Sequence, residues 1–367
     1  MRIVIAGGGT AGHVLPSIAV ADRLRDGGAS VEFVGSPDGP EASMVPAAGY
    51  RFHPVAAIPL RREISLRSAA APFVALRSVA RARPIVRGAD AVLGMGGYAS
   101  IAPVIAARTL KVPTILHEQN AIPGLANRLL ARVATAAALT FEDSRTRFPP
   151  TVRTEVTGLP LRREIRAVGA HREDLAAEAR RAWDLEPGRT TVLVTGGSQG
   201  ALHVDRTVAE AIPLLADRTD LQLVVLTGIG HEPVVAGAAN QEMALIVRTM
   251  PFLDRMELAL AVADLAIARA GANTIHELAS SSIPSILVPY PYATDDHQEA
   301  NARELERAGA ADVYRDGDLT PEGLAQRILS LAADRERRAV MAKAGMAWAK
   351  PDADERVAEL VRSVARP

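Results

Sequence analysis

Short β-branched runs alternate with longer Ala/Leu/Arg segments along the whole chain. Residues 2–6, 31–34, 91–93 and 114–116 are predicted strands of one sheet, and residues 191–195, 221–227, 265–268 and 285–288 repeat the pattern in a second. Strands that alternate with helical segments imply βαβ units and buried parallel sheets. Each half opens with a strand that runs into glycines, Gly7-Gly8-Gly9 in the first and Gly196-Gly197 in the second. The predicted fold is therefore α/β, with two Rossmann-like doubly wound domains facing across a cleft. The expected limits are 1–160 and 161–345, with the turn Gly158-Leu159-Pro160 near the boundary. Residues 346–367 should form a closing helix that packs back toward the first domain.

Composition narrows the class. A chain of 367 residues with 48% hydrophobic positions can fill two cores, which excludes a disordered or fibrous protein. Forty-two basic residues balance 42 acidic ones, so no cationic excess exists to coat nucleic acid. The absence of cysteine excludes disulfides, thiolate metal sites and cysteine nucleophiles together. The apolar start at residues 2–6 is too short for a signal-peptide core, and no run approaches the about 18 apolar residues of a spanning helix. The chain is expected to be soluble or, at most, to sit on a membrane face.

Small-residue loops recur at the carboxyl ends of predicted strands, the edge where open α/β sheets bind ligands. They are Gly7-x-Gly9-x-x-Gly12, Gly94-Met95-Gly96-Gly97, Gly196-Gly197-Ser198-Gln199-Gly200 and Ala270-Gly271-Ala272-Asn273-Thr274. Glycines let backbone approach a ligand, and a following helix N-terminus offers amides to phosphate. A tight turn without ligand accounts for any one of them. The first also fits a dinucleotide fingerprint in form, but the second strand ends Phe33-Val34-Gly35-Ser36 without the acid that a ribose diol needs.

Four stretches carry candidate chemistry. His13 follows the first glycine loop at a helix start, where the dipole disfavours imidazolium and leaves the ring able to accept a proton. His117-Glu118-Gln119-Asn120 follow an apolar strand, either as solvated loop residues or as part of a site. Glu277, expected in the first turn of its helix, is read either as a complement to the helix dipole or as an acceptor for ribose hydroxyls. Asp295-Asp296-His297-Gln298 open another helix; adjacent residues there do not face one point, so sugar hydrogen bonding by Gln298 is preferred to a metal site. Seven arginines against Glu63 alone mark residues 61–87, interleaved with Ile64, Leu66, Phe73 and Leu76. Such a segment suits an anionic membrane surface, and an ordinary solvated helix pair is the alternative.

Together, GGGTAGHVLP at 7–16, GMGGYASIAP at 94–103, HEQNAIPGLANRLLA at 117–131, GGSQGA at 196–201, RAGANTIHELA at 269–279, PSILVPYP at 284–291 and HQEANA at 297–302 resemble one family. It is that of the bacterial lipid I N-acetylglucosaminyltransferases, inverting GT-B enzymes of glycosyltransferase family 28. The resemblance implies transfer of GlcNAc from UDP-GlcNAc to the C4 hydroxyl of MurNAc in lipid I, giving lipid II for peptidoglycan. It implies His13 as candidate base. On the donor it places Thr10, Ala11, Gly12, Asn120, Arg162, Ser198 and Leu253, then Ala272, Asn273, Thr274, Ile275, His276, Glu277 and Gln298. No metal and no other cofactor is implied.

The membrane-facing set would be Ile64, Leu66, Phe73, Leu76, Arg77, Arg81 and Arg83, on the cytoplasmic face of the inner membrane. Other cell-wall synthesis proteins are candidate partners. Two departures stand out: Ala11 replaces a common glycine, and Leu159 precedes the interdomain proline where Asn is frequent. The residues alone leave open another lipid or secondary-metabolite acceptor, or a non-catalytic UDP-sugar-binding peripheral membrane protein.

Overall fold

The computed structural model describes residues 1–57, 71–197, 200–239 and 243–366, apart from the side chains of 71–73. The chain divides into two compact units, Met1–Arg162 with Lys350–Pro367, and Arg163–Ala349.

In the first unit the strands are β1 (Arg2–Ala6), β2 (Ser30–Gly35), β3 (Arg51–Pro54), β4 (Ala91–Gly94), β5 (Thr114–Glu118), β6 (Ala136–Leu139) and β7 (Arg153–Val156). They form one parallel sheet in the order β3-β2-β1-β4-β5-β6-β7. Side chains alternate between the faces of a strand, and here both faces are covered. Ile3 and Ile5 of β1 enter a core with Val20 and Leu24 of the helix Ala11–Asp26 and Val357, Leu360 and Val361 of the helix Ala353–Val364. Val4 and Ala6 enter the opposite core with Ala82, Val86 and Ile101. That is why β1 is apolar at successive positions rather than at every second one.

The C-terminal helix thus completes the first sheet's core. Its start is tied to the helix Ala11–Asp26 by Arg23 Nε, 2.7 Å from Glu355 Oε2 and 3.3 Å from Asp354 Oδ2.

The second unit holds β8 (Thr190–Thr195), β9 (Leu221–Leu226), β10 (Ile246–Met250), β11 (Leu265–Ala268), β12 (Ser285–Leu287) and β13 (Ala311–Val313). All pairs are parallel, in the order β10-β9-β8-β11-β12-β13. Val192, Val194, Leu223, Val225, Ile267 and Ile286 pack its core against flanking helices.

Both sheets reverse their direction of growth once, between β1 and β4 in the first and between β8 and β11 in the second. Connections leaving those neighbouring strands go to opposite faces, so their loops diverge and open a crevice at the carboxyl edge. All four small-residue loops begin at these strands, after β1, β4, β8 and β11.

Leu360 is 2% exposed in the core shared by β1 and the two helices. Leu360→Ala should lower stability by about 2–5 kcal/mol, read as a shift in urea midpoint at constant slope, with loss of protection in the first unit's sheet.

Candidate functional site

At the first switch point the loops from β1 and β4 interlock. Gly97 has φ 72°, and a Cβ there would overlap Gly8 O. A Cβ on Gly96 would lie 3.0 Å from His13 Cδ2 and 3.1 Å from Nε2, so the imidazole rests against the β4 loop. Thr10 is the N-cap of the helix Ala11–Asp26, but its side chain makes no capping bond. Its Oγ1 lies 2.9 Å from His13 Nδ1 instead. With Nδ1–H donating to Thr10, Nε2 carries the lone pair and can accept a proton. The helical ladder begins with His13 N and Val14 N donating to Thr10 O, at 3.0 and 3.3 Å. The amides of Ala11 and Gly12 precede it, at the positive end of the helix.

One residue that the sequence pattern did not single out shapes this loop. Glu41 is 1% exposed and accepts from Gly9 N at 2.9 Å and Ser36 N at 2.8 Å. A dinucleotide's pyrophosphate would have to share these amides with a carboxylate, which weighs further against the dinucleotide fingerprint.

The polar run after the apolar part of β5 differs from expectation. His117 and Glu118 continue the strand, and they are 0% and 2% exposed. They are not solvated loop residues: both are buried, with side-chain partners in the loops and helix beside the strand. Burial pushes His117 down to about 4; the neutral ring's Nε2 lies 3.3 Å from Gly158 O. Glu118 is pushed up by burial and pulled back by donors. Asn120 N at 2.9 Å, Gly124 N at 3.2 Å and Asn127 Nδ2 at 2.8 Å all donate to it. Glu118 is thus the hub of the turn that carries Asn120, which is half-buried.

At the second switch point, Ser198 lies outside the described residues. Gly197 and Gly271, from the β8 and β11 loops, face one hydroxyl: a Cβ on either would lie 3.8 Å from Thr274 Oγ1. Gly271 is the N-cap of the helix Ala272–Ser280 and has no side chain to occupy the helix start. The ladder begins with Ile275 N donating to Gly271 O at 3.1 Å, so the amides of Ala272, Asn273 and Thr274 precede it.

Not every residue of this segment can offer a side chain. Ile275 is fully buried, and His276 is 5% exposed, its Nδ1 2.8 Å from Ala272 O and its ring 4.6 Å from Trp348. Glu277 lies in the second turn of the helix rather than the first, and no acid occupies the first turn. The dipole-complement reading of Glu277 therefore loses its basis, while its partly exposed carboxylate keeps the other.

Leu253 is partly exposed just beyond β10, and Gln298 Oε1 accepts from Tyr290 N at 3.0 Å. Arg162 ends the first unit, half-buried. Among the described residues no group of three or more His, Cys, Asp or Glu side chains is placed to hold a metal ion.

Sequence reasoning also missed two features behind the second loop. Arg269 is 6% exposed, pairs with Asp316, and donates through Nη1 to Val288 O at 3.1 Å and Pro289 O at 3.2 Å. Asp205 is fully buried, with His231 Nδ1 3.4 Å from Oδ2, and burial pushes it up to about 6 against the pull of His231.

Comparison with known proteins fixes the family. Residues 3–139 match the glycosyltransferase family 28 N-terminal domain and residues 191–357 the family 28 C-terminal domain. The chain is 38% identical over 375 residues to the UDP-N-acetylglucosamine--N-acetylmuramyl-(pentapeptide) pyrophosphoryl-undecaprenol N-acetylglucosamine transferase of Halothermothrix orenii, covering 100% of both. It is 40% identical to the enzyme of the same name from Nocardioides sp., covering 98% of this chain and 97% of that one. The crystal structure of Acinetobacter baumannii MurG superposes with TM-score 0.79 at 29% identity, covering 99% of each chain.

The chain belongs to the MurG group of glycosyltransferase family 28. The two Rossmann-like domains read from the sequence are those of this family.

Two of the buried acid–base groups of this MurG-family chain, His117 and Asp205, have opposite pH signatures. His117 falls from its ordinary 6.5 to about 4, so its contribution to stability is present above 6.5 and lost as pH falls through 4. Asp205 rises from 3.8 to about 6, so its contribution is present below 3.8 and lost as pH rises through 6. Hydrogen exchange between those limits should show β5 losing protection on acidification while the helix Leu202–Ala211 gains it. Asp205→Asn should abolish the second trend only; a trend unchanged by it would assign the slope elsewhere.

Proposed function

We propose that this chain transfers GlcNAc from UDP-GlcNAc to the C4 hydroxyl of the MurNAc unit of lipid I, with inversion, forming lipid II for peptidoglycan. The observation that carries the reading is the pairing of equipment at the two switch points. One places Thr274 and three leading helix amides beside glycine loops, and the other holds an imidazole with Nδ1 anchored on Thr10. A diphosphate and a general base are the two things an inverting sugar transfer requires.

In the proposed reaction His13 Nε2 takes the proton of the acceptor C4 hydroxyl. The freed oxygen lone pair attacks the anomeric carbon from the face opposite the UDP oxygen. The C1–O bond to phosphate breaks as the new glycosidic bond forms, and its electron pair leaves on UDP. The amides of Ala272, Asn273 and Thr274, with Ser198 and Arg162, would receive that charge. Glu277 would accept from the ribose hydroxyls, Gln298 would contact GlcNAc and Leu253 would border the uracil. Thr10, Ala11, Gly12 and Asn120 would line the reacting end. For Ile275 and His276 the contribution would be packing beneath the loop, since both side chains are buried.

We extend the reading to a peripheral position on an anionic leaflet. No described helix is long and apolar enough to cross a membrane. On the helix Ala71–Val86, Leu76 is 69% exposed beside exposed Arg77, Arg81 and Arg83. Ile64 and Leu66, and the side chain of Phe73, lie outside the described residues. Basic residues next to an exposed leucine support binding to a surface rather than insertion.

Initial-rate measurements with a soluble lipid I analogue test the chemistry. His13→Ala should lower kcat by about a hundredfold or more while leaving UDP affinity by calorimetry unaltered; an undiminished kcat removes His13 from the base role.

Vesicle sedimentation tests the membrane face. Replacing Arg77, Arg81 and Arg83 by Gln should weaken binding to anionic vesicles by about 1 kcal/mol per charge, most at low salt. Unchanged partitioning would refute the patch.

A further inference from the structure

Glu41 opens the helix Glu41–Ala47, where an acid ordinarily complements the dipole from the surface. Here it is buried and turned back onto the first glycine loop. Its two oxygens divide their work: Oε2 accepts from Gly9 N and Oε1 from Ser36 N, so it joins the loops that follow β1 and β2. Three glycines clear its place. A Cβ on Gly8 or on Gly39 would overlap the carboxylate, and one on Gly35 would come within 2.6 Å of Cγ. A glycine loop between a strand and a helix is where an external phosphate is commonly held by backbone amides. This loop has an internal anion in that role.

The loop so held is the one on which His13 depends. Gly8 O is the atom that a side chain on Gly97 would strike, and the adjacent Gly96 backs His13 Nε2. Thr10, directly after Gly9, holds Nδ1. A shift of Gly8 and Gly9 therefore disturbs both supports of the imidazole.

We propose that Glu41 is a positioning residue for the transfer reaction: its carboxylate is the built-in anion that fixes the first glycine loop, and through it Thr10 and His13. The catalytic part rests on the proposed function above; the anchoring of the loop does not.

Two variants remove the anchor by different routes. Glu41→Gln keeps the size, but one of the two amides must then face an NH2 group. Gly39→Ala leaves Glu41 intact and puts a methyl group where its carboxylate lies, at a residue outside the loop and without positive φ. Each is assayed for kcat and for KM of UDP-GlcNAc with a soluble lipid I analogue, and for exchange of the Gly9 amide by NMR.

Both should lower kcat about ten- to a hundredfold, as small misplacements of reacting groups do, leave the KM of UDP-GlcNAc where it was, and speed Gly9 exchange. A folded variant with unchanged kcat, or with kcat and donor KM changed together, overturns the proposal. So does unchanged Gly9 exchange, or loss of the fold in both variants. Absence of transfer by the unaltered protein would instead sink the functional reading, and the amide measurement would still report on the anchor.

Discussion

A parallel sheet covered on both faces obliges the chain to choose a face after every strand. The choice is reversed once in each sheet of this protein, between β1 and β4 and between β8 and β11. At those two places alone the outgoing loops diverge, so backbone amides and helix starts stand open at the carboxyl edge. Everything chemical in the molecule follows from that constraint. The cores decide where the loops are, and the loops' own residues decide what they do.

The two switch points have the same geometry and opposite equipment. In the first, the helix N-cap is Thr10, whose hydroxyl serves a histidine, and the loop's Gly9 amide is already taken by Glu41. In the second, the N-cap is Gly271, which has no side chain, and the first turn of its helix contains no acid. Electrostatics separates them. A buried carboxylate beside the first loop repels a second anion, whereas the second leaves its positive helix end unneutralised by any acid of its first turn. The proposed division between a proton-accepting unit and a diphosphate-holding unit thus rests on which residue occupies the place of an anion.

Much of this was legible in the sequence because apolar runs in doubly covered strands are continuous. β1 and β11 stood out residue for residue, and their glycine loops followed. β6 did not, because its sequence is Ala-Ala-Ala-Leu. Alanine favours helix, yet beneath packed helices a strand has room for little else. The edge strands β3 and β7 were hidden by polar residues such as Arg51, His53, Arg153 and Glu155, which an edge tolerates. The polar pair His117-Glu118 ended the apparent strand two residues early. A reading by polarity cannot anticipate that Asn127 and two loop amides satisfy Glu118 inside the fold. Glu41 was concealed in the same way, since an acid at a helix start has an ordinary explanation. Only the surrounding Gly8, Gly35 and Gly39 betray the volume it needs.

These buried acids share one logic. A carboxylate taken out of water is tolerable only where donors are fixed beforehand, and backbone amides are the donors a chain cannot retract. Glu118 fixes the turn bearing Asn120, and Glu41 fixes the loop bearing Thr10. Each thereby ties a connecting segment to the fold through backbone amides. Asp205 is the contrasting case: buried behind the second loop with His231 Nδ1 3.4 Å from Oδ2, it is in a place where burial outweighs the pull of His231 and of the Ala201 amide. Its raised proton affinity is the consequence.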